Sequence, residues 1–242
     1  MIYRSNLKCP DLTPHFKLTE FNHFFGHTFI ADPDFDPRCG FWTHDEAALL
    51  FNIAGQFGGT WLDIGSRVGW SSAHLLAAGC DVVGVDPEYR NKDFLVRTRM
   101  NLKDIRNGHP AHFSTIPMTS ADFYDAHARS TSPYSFSGCV IDGDHSGENP
   151  YNDALKFLSF ASPHGAVILF HDFWGGGWIY QGAKMLQNHG WKVKVYWTPN
   201  GVACCWNTSL FRPPSHKPDP QIQPSVMPRM KADGFDLSIF QL

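Results

Sequence analysis

The stretch Trp61–Trp70 constrains the fold of this chain more than any other part of the sequence. A short apolar run there contains Asp63, and Gly65 and Gly69 complete a D-x-G-x-x-x-G pattern. The residues that follow predict a helix that ends just before Gly79. A strand, a glycine turn and a helix in this order bring backbone N–H groups close to a nucleotide-like ligand. Glycine also occurs between strands and helices for steric reasons alone, so the pattern needs support from elsewhere in the chain.

That support comes from a second apolar run, which ends in Asp86, 21 residues after Gly65. The offset suits a second strand whose terminal carboxylate accepts hydrogen bonds from the two hydroxyls of a ribose. The glycine spacing differs from the G-x-G-x-x-G of nicotinamide-binding enzymes, which makes a dehydrogenase a weaker hypothesis.

Strands that alternate with helices predict an α/β fold with a doubly wound, mostly parallel sheet. The first helix is predicted to start at Thr43, because Glu46 three residues later completes a capping box. Further strands are predicted near residues 111–116, 138–142 and 166–170, and an antiparallel β-hairpin is predicted over residues 191–206.

The chain divides by composition into three predicted parts. Residues 1–42 lack sustained periodicity and are predicted to be an irregular N-terminal extension packed on the core. Residues 43–210 form the α/β domain. Residues 211–242 are a proline-rich C-terminal segment, which we expect to be extended and to wrap the domain or serve as a tail or contact arm.

Acidic residues follow several of the predicted strands. Asp63 lies near the end of the first strand, Asp86 follows the second, Asp142 follows the fourth, and His171-Asp172 follow the fifth. Because ligands of such sheets bind beyond the carboxyl ends of the strands, we expect these side chains to converge on one cleft.

Composition narrows the class of ligand. The net charge is −3, the pI is near 6.5, and no run of Lys or Arg is present, so nucleic acid is not expected as a partner. A small-molecule substrate is the better hypothesis. The sequence has no apolar signal region and no stretch long enough to cross a bilayer, so we expect a cytoplasmic protein without a membrane partner. A homo-oligomer is left open.

The motifs together resemble a known family over about residues 45–206. Asp63-x-Gly65-x-x-x-Gly69, Asp86, the sequence I-D-G-D-H ending at His145, and F-H-D ending at Asp172 are similar to class I S-adenosylmethionine-dependent methyltransferases. The macrocin and sugar O-methyltransferase branch is the most similar. The resemblance implies a Rossmann-like domain with a seven-stranded sheet of order 3214576, and methylation of a hydroxyl on a sugar or natural product.

The resemblance also implies a set of cofactor-binding residues. Gly65, Ser66 and Gly69 would line the methionine and ribose of S-adenosylmethionine, and Asp63 would organise the turn. Asp86 would hold the ribose hydroxyls, while the residues after the third strand would lie near the adenine. The full set is Asp63, Gly65, Ser66, Arg67, Gly69, Trp70, Ser71, Asp86, Pro87, Met118, Thr119, Ser120 and Asp142.

A metal site is a further implication, with one departure from the usual pattern. In metal-dependent relatives, residues matching Asp142, His171 and Asp172 bind Mg²⁺ beside the acceptor oxygen. Here His171 stands where a second acid is often found, and imidazole suits Mn²⁺, Zn²⁺, Fe²⁺ or Ni²⁺ better than Mg²⁺. Three interpretations stay open: a divalent-metal site, a metal-free site in which His145 or His171 is the general base beside Asp142, and structural hydrogen bonding alone.

Two other functions remain alternatives at this point. A cephalosporin-hydroxylase-like enzyme resembles the same scaffold, so the fold cannot exclude hydroxylation. A non-catalytic nucleotide-binding or assembly protein is the other alternative, suggested by the N-terminal extension and the proline-rich segment. The tryptophan-rich and glycine-rich run Trp174–Trp178 is read either as a substrate rim or as a cover for the sheet edge.

Overall fold

The structure, a computed structural model, describes residues 7–12, 15–16, 42–105, 111–131, 134–217 and 220–240. Seven strands and seven α-helices are found in this part of the chain. The strands are β1 Thr60–Ile64, β2 Asp81–Val85, β3 Phe113–Ile116, β4 Gly138–Ile141, β5 Val167–Phe170, β6 Lys192–Tyr196 and β7 Val202–Trp206. The helices are α1 His44–Phe57, α2 Trp70–Ala77, α3 Lys92–Leu102, α4 Ser120–Ala128, α5 Asn149–Phe157, α6 Gly177–Asn188 and α7 Ile222–Ala232.

All seven strands form one sheet in the order β3-β2-β1-β4-β5-β7-β6, which confirms the predicted order 3214576. Strands β1 to β5 are parallel to one another, and β7 is antiparallel to both β5 and β6. Every residue of β4, β5 and β7 is buried, as expected for strands covered on both faces.

The two faces of the sheet carry two separate hydrophobic cores, because side chains alternate along each strand. Leu62 and Ile64 of β1 pack in the core that includes residues of α4, α5 and α6. Trp61 packs in the opposite core, with residues of α1 and α2. Leu12 and Phe16 are buried in this second core, whereas most of the predicted N-terminal extension lies outside the described residues. The three-part division of the chain stays a prediction.

Helix α1 begins as the sequence predicts. The Thr43 side chain accepts a hydrogen bond from the Glu46 backbone N–H, and the Glu46 carboxylate accepts one from the Thr43 N–H in return. Gly58, with φ of 58°, ends the helix in a backbone conformation that favours glycine.

The extended conformation predicted for the C-terminal segment is wrong for residues 222–232, which form α7. Pro224 lies in the first turn of the helix, where the N–H that it lacks has no intrahelical partner. Val226 and Met230 are one helical turn apart and are both buried against the core beside α6. Burial of this apolar pair therefore outweighs the cost of Pro228 inside the helix.

Within the residues described, the structure contains no helix with the length and apolar character needed to cross a membrane.

Candidate functional site

A cavity of about 760 Å³ lies beyond the carboxyl ends of the strands, as predicted for this type of sheet. It brings together ten of the thirteen predicted cofactor-binding residues, whereas Asp63, Gly69 and Met118 do not line it. The ten are Gly65, Ser66, Arg67, Trp70, Ser71, Asp86, Pro87, Thr119, Ser120 and Asp142. Lining residues that the sequence analysis did not select include Trp42, Glu88, Asp144 and Asn149.

The turn after β1 approaches β4 so closely that its first glycine is obligatory. Gly65 has φ of 78°, and a Cβ at this position would overlap the carbonyl of Asp142. Arg67 and Asp172 have φ of 44° and 53°, and they are the two non-glycine residues of positive φ among those described. Both line the cavity, so the unfavourable backbone conformations are concentrated at this site.

Asp63 lies behind the turn and connects β1 to α2. Its Oδ2 accepts hydrogen bonds from the hydroxyls of Ser71 and Ser72, and the carboxyl group is fully buried. Burial raises the pKa of Asp63 to about 7, although the two serine hydroxyls act in the opposite direction. Asp63 therefore does not line the cavity, and its position is compatible with a role in organising the glycine turn.

Helix α3 holds the turn from the other side through two buried polar residues that sequence reasoning missed. Thr98 Oγ1 donates to the Arg67 carbonyl at 3.2 Å, and Asn101 Nδ2 donates to the Val68 carbonyl at 3.2 Å. A polar side chain on a helix usually faces solvent, so only the packing of α3 against the turn reveals this contact.

Asp86 follows β2 and its carboxylate contacts the same turn. Oδ2 accepts a hydrogen bond from the Arg67 N–H at 2.9 Å, and Oδ1 accepts one from the Glu88 N–H at 2.8 Å. Burial raises the pKa of Asp86, against these hydrogen bonds and the charge of Arg67. Asp86 therefore fixes the backbone that surrounds it, in addition to facing the cavity.

His171 follows β5 but is buried and does not line the cavity. Its Nδ1 lies 3.0 Å from Asp142 Oδ1, and its Nε2 lies 3.2 Å from Glu46 Oε2. The Trp42 ring stacks on the imidazole at a centroid distance of 4.4 Å, and its Nε1 donates to Asp142 Oδ2 at 2.7 Å. His171 thus lies beside Asp142 and Asp172, as the predicted group requires, but both of its nitrogens face carboxylates and its side chain does not reach the cavity.

The charges in this network stabilise one another. Burial favours the neutral ring, but Asp142, Asp172 and Glu46 raise the pKa of His171 well above its usual value. Burial likewise acts to raise the pKa of Glu46, but His171 and the backbone N–H groups of Thr43 and Asn200 lower it to about 2. A protonated imidazolium between two carboxylates is therefore the stable form.

His145, the other candidate general base of the sequence analysis, lines the cavity beside Asp142 and Asp172. Its Nε2 lies 3.9 Å from Asp142 Oδ1, and its Nδ1 lies 3.7 Å from Asp172 Oδ2. One potential ligand atom from each of Asp142, His145 and Asp172 lies within 4.8 Å of the others. All three residues line the cavity.

The run Trp174–Trp178 does not line the cavity. Trp174 is buried, stacks on Trp197 at 4.7 Å and donates from Nε1 to the Thr198 carbonyl. Its position favours the interpretation that this tryptophan covers the sheet edge. Trp178 is 40% exposed.

We expect Glu46→Ala to lower the free energy of unfolding by roughly 3–5 kcal/mol, because it leaves the buried His171 cation with one partner fewer. Chemical denaturation at pH 6 measures the change. Asp125→Ala is the control, since Asp125 is 64% exposed and its ion pair with Lys156 should contribute less than about 1 kcal/mol. Equal effects of the two substitutions would contradict the importance of the buried pair.

The raised pKa of Asp63 predicts that the stability of the protein depends on pH. The pKa of Asp63 is about 7 in the folded protein, above its value in the unfolded chain. The contribution of Asp63 to the free energy of unfolding is therefore complete below about pH 4 and is lost as the pH rises through 7. Relative to Asp63→Asn, the wild-type protein should therefore lose roughly 4 kcal/mol of unfolding free energy between pH 4 and pH 8. Urea denaturation of both proteins at several pH values measures the difference, and a constant difference would refute the raised pKa.

Comparison with known proteins supports the fold described above. Residues 62–173 match a family model described as a methyltransferase domain. No curated protein matches the sequence. An O-methyltransferase from Bacillus cereus, solved in complex with S-adenosylhomocysteine, is 16% identical with a TM-score of 0.53, and the match covers 67% of this chain and 80% of that one.

Two further solved structures share the fold. The O-methyltransferase TomG from Streptomyces achromogenes, involved in tomaymycin synthesis and solved with S-adenosylmethionine, is 16% identical with a TM-score of 0.57; the match covers 83% of this chain and 90% of that one. A methyltransferase from Podospora anserina bound to S-adenosylhomocysteine is 14% identical with a TM-score of 0.55, covering 84% and 91% respectively. Residues 62–173 of this chain therefore match a methyltransferase-domain family, and the chain shares its fold with O-methyltransferases solved with S-adenosylmethionine or S-adenosylhomocysteine.

Proposed function

We propose that the protein transfers a methyl group from S-adenosylmethionine to a hydroxyl oxygen of a small molecule of the sugar or natural-product type. The observation that carries this proposal is that the glycine turn and the group Asp142, His145 and Asp172 line the same cavity. One wall thus offers a place for the cofactor, and another offers side chains that can hold and deprotonate an acceptor.

The residues present fit such a cofactor, because two buried polar atoms on lining residues lack partners. Trp70 Nε1 is a donor and Glu88 Oε2 is an acceptor, and neither has a hydrogen-bond partner in the described part of the chain. Buried polar atoms in native proteins are nearly always paired, so unpaired atoms at a cavity indicate a bound ligand.

When bound, S-adenosylmethionine would supply a methyl group on a sulfonium, and transfer to the acceptor oxygen would form an O–C bond as the C–S bond breaks and S-adenosylhomocysteine leaves. Such a displacement depends chiefly on alignment of the two reactants. The residues suited to this task are Arg67 and Asp172, because each has a tightly constrained backbone at the cavity wall. Asp86 further restrains Arg67 through its hydrogen bond to the N–H.

His145 is our candidate for the general base. Its side chain is 30% exposed and lines the cavity, so a substrate hydroxyl can reach it. An imidazole can act as a general base towards a hydroxyl, and the carboxylates of Asp142 and Asp172 would orient the ring. His171 is unsuited to this role because both of its nitrogens already face carboxylates.

Metal assistance is a second candidate, supported by the convergence of ligand atoms from Asp142, His145 and Asp172 within 4.8 Å. A set of one imidazole and two carboxylates suits Mn²⁺, Zn²⁺ or Fe²⁺ better than Mg²⁺. When bound, such a cation would lower the pKa of the acceptor hydroxyl. Trp42 and His171 would then orient the Asp142 carboxylate from behind.

The names of two structural neighbours support an oxygen acceptor. The Bacillus cereus protein and TomG are O-methyltransferases, and TomG is involved in the synthesis of tomaymycin. A cytoplasmic location stays a prediction of the sequence analysis, and a homo-oligomeric state stays open.

Isothermal titration calorimetry tests the cofactor. We expect S-adenosylhomocysteine to bind at a ratio of one per chain and NAD not to bind. Asp86→Ala should weaken binding at least tenfold because the turn loses its anchor and the ribose an acceptor, whereas Asp125→Ala, at an exposed acid outside the cavity, should bind like the wild type. Binding of NAD without S-adenosylhomocysteine would overturn the proposed function.

Electron paramagnetic resonance with Mn²⁺ tests the metal. If the cluster binds a cation, Asp172→Ala and His145→Ala should each lose most of the bound signal. Asp144→Ala is the matched control, because Asp144 lines the same cavity but its carboxylate accepts hydrogen bonds from Ser146 and Asn149. Equal Mn²⁺ binding by all four proteins would remove the cluster as a metal site and leave the His145 base.

A further inference from the structure

We propose that Glu88 is a second acid that binds the ribose of S-adenosylmethionine, beside Asp86. This inference rests on the proposed function, because it assigns one more residue to the cofactor that the cavity would hold. It also changes the role expected for Asp86, which the sequence analysis treated as the single ribose-binding acid.

Asp86 already has a structural task at both of its carboxylate oxygens. One oxygen accepts a hydrogen bond from the Arg67 N–H at 2.9 Å, and the other accepts one from the Glu88 N–H at 2.8 Å. These two bonds fix the orientation of the carboxylate. Each oxygen keeps further capacity to accept a hydrogen bond, but the geometry of that bond is restricted by the turn.

Glu88 lies at the same edge of the sheet and is not restricted in this way. It is the second residue of the 3-10 helix Pro87–Arg90, which directly follows β2. Its side chain lines the cavity, and its Oε2 atom is buried without a hydrogen-bond partner. A buried acceptor that lacks a donor is costly to the folded protein, so the atom needs a partner from outside the chain.

The position of this unpaired oxygen distinguishes it from similar atoms elsewhere. Three carboxylate oxygens are buried and unpaired among the described residues: Asp45 Oδ1, Asp63 Oδ1 and Glu88 Oε2. Asp45 and Asp63 do not line the cavity, whereas Glu88 does. Glu88 is therefore the one member of this group that a ligand in the cavity can contact.

The surrounding charges indicate what kind of group it would bind. Asp86 and Glu88 are two acids that lie two residues apart, and both line the cavity. Among the described residues that line the cavity, Arg67 is the one Lys or Arg. Burial and the charge of Asp86 raise the pKa of Glu88, while Arg67 lowers it. This arrangement disfavours a phosphate and favours a neutral group with two adjacent O–H donors, which is the chemistry of a ribose diol.

A thermodynamic cycle with S-adenosylhomocysteine and its 2′-deoxy and 3′-deoxy analogues tests this assignment by calorimetry. We expect Glu88→Ala to bind S-adenosylhomocysteine roughly tenfold or more weakly than the wild type, as for loss of a hydrogen bond to a charged group. Glu88→Gln keeps an uncharged acceptor and should recover part of the loss. For the analogue that lacks the contacted hydroxyl, the wild type and Glu88→Ala should bind equally.

Glu148→Gln is the matched control, because Glu148 is exposed and does not line the cavity. Its affinity for S-adenosylhomocysteine should equal that of the wild type. Thermal unfolding of ligand-free Glu88→Gln should occur at the same or a higher temperature than for the wild type, since the substitution removes a charge whose Oε2 atom is buried without a hydrogen bond.

The outcomes separate this inference from the proposed function. Equal affinity of Glu88→Ala and the wild type for S-adenosylhomocysteine would overturn the role of Glu88 alone. An equal loss for all three ligands would also overturn it, because Glu88 would then act on the shape of the cavity and not on a hydroxyl. Failure of the wild type to bind S-adenosylhomocysteine would overturn the proposed function together with this inference.

Discussion

The buried chain of contacts from Glu46 through His171 to Asp142 determines the shape of the candidate site. It joins the first turn of α1, the end of β5 and the end of β4, and Asn200 connects Glu46 to the turn between β6 and β7. A charged imidazole is tolerated in the interior only because carboxylates face both of its nitrogens. The orientation of Asp142, and with it the cluster that includes His145 and Asp172, depends on this arrangement.

The acidic residues at the strand ends divide into those that support the site and those that face it. Asp63 holds α2 behind the glycine turn, while Asp142 and Asp172 reach the cavity. Support extends to the C-terminal segment, in which Arg229 donates a hydrogen bond to the Trp174 carbonyl at 2.6 Å, close after the strained Asp172. Strained backbone at a site persists where its surroundings hold it. Here α3 holds the Arg67 carbonyl, and the β6–β7 turn and α7 hold the two residues that follow Asp172.

Much of the fold follows from local patterns. The capping box at Thr43, the glycine turn, the apolar strands and the hairpin each depend on the conformational needs of a few neighbouring residues, and the structure has them close to the predicted positions. Proline content misled the prediction for residues 222–232, because burial of Val226 and Met230 depends on a core built from distant elements. Prediction of the candidate site was mixed for the same reason: ten of the thirteen selected residues line the cavity, but Glu88, which also lines it, and Thr98 and Asn101, which hold its glycine turn, were not selected.

The sequence alone determined which chemical groups meet at the carboxyl edge of the sheet, because strand order and strand ends follow from periodicity and glycine spacing. Only the tertiary structure decided which of these groups face the cavity. Glu46 and His171 are 125 residues apart, and Trp42 and Asp142 are 100 residues apart. Contacts over such separations depend on how α1 packs against the sheet, so the burial of His171 and the position of His145 at the cavity could not be derived from spacing.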